Sequence, residues 1–458
     1  MKILFASSEM YPYAKSGGLA DVAASLPKSL AEFVDISTLM PFYSFMKKDD
    51  LKMEHSDEIN LGGVSYKLKF YKKNNTATYF VEAPLLSDTQ NLYADEFKDY
   101  ADNDLRFGIF SKAIVVLAKK LEVELLHLND WHTALSSLYL KEEKSKIKTI
   151  LTIHNLAYQG LFSRDTLERL SIDKKYFNTD GLEFYDKVNF LKAGIAYSDA
   201  ITTVSPTYAK EILTQEFGCG LDGFLNYHKG KLYGVLNGID KTLFNPKTDK
   251  YLYKNYDYNS LEIKQENKKA FLKNSSLKKS KLPLFVMVTR IVEQKGIDLI
   301  IESLKKLVSK KLNLLIVGEG SLEFATKLER LSNKYENFEF INIYNEELSH
   351  KIYAAADFLL MPSRFEPCGL NQMIAMSYGT LPIVHGVGGL KDSVIDDVDG
   401  IIFKDESKKD LLRAVKRAIK LKKNSEKFNS MRIFAMKKNL SFTKSALKYI
   451  EIYKKVLA

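Results

Sequence analysis

LFVMVTRIVEQKGIDLIIESLKKLVSKKLNLLIVGEG, residues 284–320, is the stretch that sets the fold class. Leu284–Val288 is an unbroken apolar run, short enough for a strand and without the polar alternation of a half-exposed one. From Gly296 to Ser309, Ile297, Ile300, Ile301, Leu304, Leu307 and Val308 recur at three- and four-residue steps, the period of an amphipathic helix. Leu312–Val317, apolar apart from Asn313, reads as a second strand. Two strands apolar on both faces, joined by one helix, form a βαβ unit of a covered parallel sheet.

The pattern continues toward the C-terminus. Leu322–Ser332 reads as a helix, Phe338–Ile343 as a strand and Glu346–Ala355 as a helix. Phe358–Met361 and Pro382–His385 read as strands flanking a helix near Gly369–Tyr378. The fold class expected is therefore α/β, with a doubly wound, Rossmann-like second half. Toward the N-terminus the signals are less regular. Lys2–Ala6 is a strand, followed by a glycine-containing loop and a helix from about Leu19 to Phe33. Val64–Phe70 and Thr78–Glu82 read as a hairpin through Lys72–Asn75. Phe107–Lys120 has helical spacing, and Leu125–Leu128, Thr149–Ile153 and Ala200–Val204 read as buried strands.

At 458 residues the chain exceeds what one hydrophobic core usually serves. Leu243–Ser260, with Pro246 and clustered Asn, Asp and Tyr, has the composition of a boundary loop. The division expected is 1–237, 238–435 and a C-terminal helix at 436–458. Within that last part, Ala446, Tyr449, Ile450, Tyr453 and Val456 form an apolar stripe to pack back on the first half. Two doubly wound domains of this kind hold ligands at their strand ends, in a cleft that they face.

Sixty-eight basic residues against 57 acidic ones give a net charge of +11. Only nine are arginine and the lysines are spread along the chain, so solvated helix faces explain them better than a nucleic-acid surface. The two cysteines, Cys219 and Cys368, build neither a disulfide framework nor a zinc site, as in a reducing interior. No apolar run approaches the ~20 residues of a membrane span, and MKILFASSEM reads as a buried strand rather than a leader. A cytoplasmic protein without membrane or nucleic-acid partners is expected.

Four loops carry the chemistry. Lys15-Ser16-Gly17-Gly18-Leu19-Ala20-Asp21 opens a helix after the first strand. Its glycines let backbone N–H groups approach an anion, the helix start adds positive partial charge, and Lys15 adds a full one. It is neither GxGxxG nor a Walker A loop. His154-Asn155-Leu156-Ala157-Tyr158-Gln159-Gly160 leaves the end of a buried strand, as does Asp130-Trp131-His132. Trp131 suits either sugar stacking or core packing. Thr289-Arg290-Ile291-Val292-Glu293-Gln294-Lys295-Gly296 brings two cations beside a helix start, a diphosphate clamp or a salt-bridged loop. Pro362-Ser363-Arg364-Phe365-Glu366-Pro367-Cys368-Gly369-Leu370 holds Glu366 in an extended turn ahead of Pro367. Gly386-Val387-Gly388-Gly389-Leu390 is a further anion-cradle candidate, and Cys368 reads as a small packing residue. Asp397-Val398-Asp399 matches a metal-binding DxD pattern but sits in a turn sequence before Gly400. With scattered histidines and no HExxH, no metal and no cofactor is expected.

These loops, in this order, resemble bacterial glycogen synthases and plant starch synthases, glycosyltransferase family five of the two-Rossmann-domain GT-B fold. The likeness spans nearly the whole chain. It implies a retaining transfer of glucose from ADP-glucose to the 4-hydroxyl of an α-1,4-glucan. It also implies roles. Lys15, Gly17 and Gly18 belong to the donor phosphates, and Asp21 and His154 to the sugar side. Asp130 matches the family's cleft aspartate. Arg290 and Lys295 neutralise the departing ADP, Glu366 is the carboxylate at the glucose, and Cys368, Gly369 and Leu370 line its loop. Tyr344 stacks on adenine, and Asn237, in Asn237-Gly238-Ile239-Asp240, faces the sugar. Related GT-B enzymes carry a second glutamate eight residues beyond the first. Here that position is Ile374, as in synthases of this family. The stretch Glu32–Thr38 departs from the family by an apparent shortening. The rival readings are another GT-B transferase with a UDP-sugar or small acceptor, a non-catalytic glucan-binding protein, and a nicotinamide oxidoreductase, which the missing GxGxxG disfavours.

Overall fold

The computed structural model describes residues 1–95, 98–277, 281–343 and 345–458. It divides into two compact units, Met1–Asn237 with Phe442–Ala458, and Gly238–Ser441.

Among the described residues the first unit holds a nine-stranded sheet. Its order is Leu232–Gly234, Ala200–Thr203, Lys148–Ile153, Leu125–Asn129, Lys2–Ala6, Asp35–Pro41, Thr78–Glu82, Val64–Lys73 and Leu51–Leu61. Every pairing from Leu232–Gly234 to Thr78–Glu82 is parallel, and the last two strands are antiparallel. The parallel strands are apolar because helices cover both faces. The hairpin of Val64–Lys73 with Thr78–Glu82 is present. Leu51–Leu61 is a strand that the sequence reading did not anticipate. It lies at the sheet edge, largely exposed and rich in charge, so it carries little apolar signal. The segment suspected of shortening contributes a seven-residue strand, Asp35–Pro41, which pairs with Lys2–Ala6 at every position of the latter.

The helix Phe442–Leu457 belongs to this first unit. It buries Phe442, Ala446, Tyr449, Ile450 and Tyr453 in a core shared with Ile3, Phe5, Val22, Leu26 and Leu30. Tyr453 Oη and His127 Nδ1 lie 2.6 Å apart, and Ser445 Oγ donates to Leu236 O at 2.6 Å.

The second unit holds a six-stranded, wholly parallel sheet among the described residues. Its order is Phe338–Ile341, Asn313–Val317, Leu284–Val288, Phe358–Met361, Leu381–His385 and Ile401–Phe403. Its strands thus run 3-2-1-4-5-6 in the order the chain makes them, the Rossmann winding. The parallel part of the first sheet is wound the same way about Lys2–Ala6. Each unit therefore has a topological switch point. In the first it lies beyond Ala6 and Asn129, in the second beyond Val288 and Met361. Ligands of open α/β sheets bind at such points, and all four of the loops singled out above start there or on an adjacent strand.

Candidate active site

In the second unit, Thr289–Gly296 leaves one strand at the switch point and Pro362–Leu370 leaves the next. The loops interlock. Gly296 has φ +70°, and a Cβ there would sit 2.2 Å from Pro362 O, so only glycine permits the contact. Arg364 N donates to Gln294 O at 2.9 Å and Gln294 Nε2 to Phe365 O at 3.3 Å. This clamp sets Lys295 Nζ 2.6 Å from Glu366 Oε2, and Ser363 Oγ donates to the same oxygen at 3.0 Å. Glu366 is 6% exposed, and the Lys295 side chain 16%. Arg290 is exposed, and its guanidinium makes no ion pair among the described residues.

Gly386–Leu390 was a further candidate for an anion cradle. In it, Gly389 N donates to Glu366 O and Pro367 O, at 3.0 and 3.2 Å, so this amide fixes the backbone of the catalytic candidate. Cys368 is buried, and Gln372 Nε2 donates to Cys368 O and Gly369 O, at 3.1 and 2.8 Å. Gly369 and Leu370 are half-buried where the loop enters the helix Asn371–Ser377. Arg364, inside the same motif, is a brace: it pairs with Glu293, with Asp298 at 2.6 Å and with Glu406 at 2.5 Å. Tyr344 lies outside the described residues. The DxD turn is used structurally. Asp397 pairs with Arg417, while Asp399 is fully buried against Lys438 rather than on the surface.

In the first unit the loop beyond Ala6 wraps around Glu9. Its carboxylate accepts Ser16 N at 2.6 Å, Ser16 Oγ at 2.8 Å, Gly17 N at 3.2 Å and Tyr93 Oη at 2.9 Å. Burial pushes the Glu9 pKa up, and the four donors pull the other way. Of the backbone amides expected to meet an anion at this loop, those of Ser16 and Gly17 are bonded to the protein's own Glu9. Gly18 opens the helix Gly18–Leu30, and Lys15 Nζ pairs with Asp21 Oδ1 at 2.7 Å.

Across the same switch point, Asn129 Nδ2 donates to Ala6 O at 2.9 Å, which turns its Oδ1 toward His154 Nε2, 2.8 Å away. That acceptor assigns the proton to Nε2. Loss of solvent around the ring lowers the His154 pKa to about 3, so the imidazole is neutral at pH 7. Its backbone N–H donates to Asp130 Oδ1 at 2.7 Å. Asp130 is buried, and desolvation raises its pKa to about 7, against hydrogen bonds from the His154 and Asn155 amides. Trp131 is a packing residue, 8% exposed among Phe107, His132, Phe162 and Phe190. Asn237 closes the unit with its Oδ1 buried and unbonded among the described residues.

The arrangement thus groups Arg290, Lys295 and Glu366 in one unit, and Lys15, Asp21, Asp130 and His154 around the switch point of the other. Sequence reasoning missed Glu9, Tyr93, Asn129 and Ser363. Glu9 alone had a usable signal, being an acid in the same short loop as Lys15.

Comparisons with known proteins identify relatives of both units. The model for the starch synthase catalytic domain matches residues 2–227, and that for glycosyl transferases group 1 matches residues 268–432. The chain is 42% identical to the glycogen synthase of Aquifex aeolicus, covering 100% of this chain and 99% of that one. It is 40% identical to that of Thermodesulfovibrio yellowstonii, with 99% and 97% covered. The solved catalytic domain of starch synthase IV from Arabidopsis thaliana, bound to ADP and acarbose, superposes with a TM-score of 0.92 at 32% identity, covering 100% of this chain and 99% of that one.

Proposed function

The chain belongs to the glycogen and starch synthases, GT-B glucosyltransferases of family five, and from that premise we propose that it extends an α-1,4-glucan with glucose taken from ADP-glucose. The reaction joins the anomeric carbon to the 4-hydroxyl of a non-reducing end with retention, and ADP departs.

One observation carries this reading: Lys295 and Glu366 share a partly buried site at the switch point of the second unit, 2.6 Å apart. Bond breaking puts negative charge on the diphosphate and positive charge on the sugar ring. A cation and a carboxylate fixed beforehand meet both demands without reorganising solvent. Lys295 and Arg290, with the start of the helix Ile297–Val308, suit the diphosphate, and Lys15 adds a further positive charge. Glu366 suits the developing oxocarbenium ion. His154, neutral and oriented by Asn129, and Asp130 suit sugar hydroxyls, and the same role is proposed for Asp21 and Asn237. Gly17, Gly18, Cys368, Gly369 and Leu370 shape the two loops, and Tyr344 is assigned to the adenine.

Retaining glycosidases that use a covalent intermediate need two carboxyl groups ~5 Å apart. The groups bonded to the Glu366 carboxylate are a lysine and a serine. Same-face attack, with the leaving phosphate accepting the proton of the attacking hydroxyl, fits that environment better. A glucosyl-enzyme trapped on Glu366 would refute it. No described helix is long and apolar enough to cross a membrane; the cytoplasm is the compartment proposed.

Radiolabelled ADP-glucose and UDP-glucose, each supplied with glycogen and no added metal, test the donor. Label is expected in ethanol-precipitable polymer from ADP-glucose. Preferential incorporation from UDP-glucose would move the chain to another donor class.

A further inference from the structure

His385 ends the strand Leu381–His385, which lies beside Phe358–Met361 in the second sheet. Its ring is 7% exposed and stacks on Phe403, with centroids 5.3 Å apart and planes 19° apart. Nδ1 lies 2.8 Å from Ser363 O, and Nε2 lies 3.0 Å from Lys404 O. Both partners are backbone carbonyls, which only accept. A neutral imidazole has one N–H and one lone pair, so it serves one carbonyl and turns its lone pair on the other. The doubly protonated ring donates to both. His127 is also bonded through both nitrogens, but it faces the hydroxyls of Tyr453 and Thr152, which give a hydrogen as readily as they take one. Its neutral ring meets no such conflict.

The Ser363 end of this clamp leads to Glu366. While its carbonyl takes the ring, Ser363 Oγ donates to Glu366 Oε2, so a single residue joins imidazole to carboxylate. The main chain beyond His385 runs to the same place. Gly386 N donates to Phe403 O at 2.9 Å, and three residues later Gly389 N holds Glu366 O. The charged groups on the adjoining segments are engaged elsewhere or face water. Arg364 pairs with Glu293, Asp298 and Glu406, Glu366 pairs with Lys295, and Lys404 and Asp405 are exposed. Among the helices that meet this strand, Asn371–Ser377 has no ionisable side chain, and Gly388–Ser393 carries Lys391 and Asp392. Lys408–Lys423 brings Asp410, paired with Arg413, and Ser425–Lys437 is bonded through Arg432 to Gly379 O, before the opposite end of the strand. Among the described residues no carboxylate is bonded to either ring nitrogen of His385. The two carbonyls alone call for its hydrogens.

We propose that His385 is a positioning residue for glucose transfer, which as an imidazolium holds the Ser363 carbonyl and through Ser363 the Glu366 carboxylate. The inference rests on the reading of Glu366 as the carboxylate at the glucose. Two substitutions separate the arms of the clamp. The amide nitrogen of His385→Asn takes the place of Nδ1 and reaches Ser363 O, whereas that of His385→Gln takes the place of Nε2 and reaches Lys404 O. Each variant keeps one bond and neither titrates, so their melting temperatures should fall alike. Their kcat values should not. The Asn variant is expected within about twofold of the intact protein and the Gln variant about tenfold below it, the scale of one hydrogen bond from a charged donor, with KM for ADP-glucose unchanged in both. As pH rises from about 5 to 8, where an imidazole changes charge, kcat of the intact protein should fall relative to that of the Asn variant. Equal kcat in the two variants, or a ratio that does not move with pH, overturns the proposal. Nitrogen-15 spectra of histidine-labelled protein read the ring with no donor present, the His385 signals being those missing from the Asn variant. Both nitrogens should be protonated at the acid end of that range, and a neutral ring there also overturns it. A chain that transfers only from UDP-glucose loses the donor assignment, and the same variants then test His385 with that sugar.

Discussion

Glu366 holds its place through three partners: its carboxylate oxygen Oε2 meets Lys295 and Ser363, and its carbonyl accepts the amide of Gly389. Glu366→Gln keeps the shape and removes the charge. Its kcat for glucose transfer is expected to fall about 10²- to 10³-fold, the usual loss on removing one preorganised electrostatic partner. Glycogen retardation in native gels should not change. The buried titrating groups of the first unit give a second test. His127, fully buried with its pKa lowered to about 3, contributes stability above the unfolded value of ~6.5 that is lost as pH falls toward 3. Asp130, with its pKa raised to about 7, contributes stability below the unfolded value of ~3.9 that is lost as pH rises through 7. Between about pH 4 and 6.5 the two slopes oppose each other, at ~1.4 kcal/mol per pH unit each. Asp130→Asn removes the opposing one. Urea midpoints for the variant should therefore fall more steeply on acidification than those of the unmodified chain. At this scale the sequence was only partly legible. Lys295 and Glu366 could be placed at neighbouring strand ends. That Glu9 fills the amides of Ser16 and Gly17 depends on a loop reversal, which no local pattern encodes.

From Leu284 to His385 the strands of the second unit were readable to within two residues, while the helices Lys264–Lys273, Lys408–Lys423 and Ser425–Lys437 were not anticipated. Leu284–Val288 and Phe358–Met361 were anticipated with the bounds they have, because a strand buried on both faces is a bare apolar run. Leu51–Leu61 escaped for the opposite reason. Alternation fails when both faces of an edge strand meet water. Close packing at the ends of these elements is equally silent in sequence, and it is testable. A Cβ on Gly389 would stand 2.2 Å from Cys368 O and 2.4 Å from Cys368 Cα, backbone that cannot swing away. Gly389→Ala should cost about 1–3 kcal/mol of stability by overpacking. It should also displace Glu366, lowering kcat at least tenfold in the same transfer assay. Gly17→Ala has no heavy atom within 4 Å of the added carbon and should leave the melting temperature where it is.

For the molecule as a whole, sequence gave the doubly wound class and an amphipathic tail that turns back on the first half. The tail's partners were out of reach, since His127 and Tyr453 are separated by 326 residues in the chain. Tyr453→Phe leaves a buried imidazole nitrogen unpaired and should destabilise the first unit by about 1–3 kcal/mol. Ending the chain at Ser441 removes Tyr449, Tyr453 and the rest of the helix from that core. Calorimetry is expected to find the first unit's transition lowered or lost while that of Gly238–Ser441 persists. The membership of Phe442–Leu457 in the first unit also inverts the timetable of biosynthesis. Residues 238–441 leave the ribosome with their whole sheet and can fold at once. Met1–Asn237 waits, its core open, for a helix translated only after the whole second unit, and that interval is when a chaperone has something to hold.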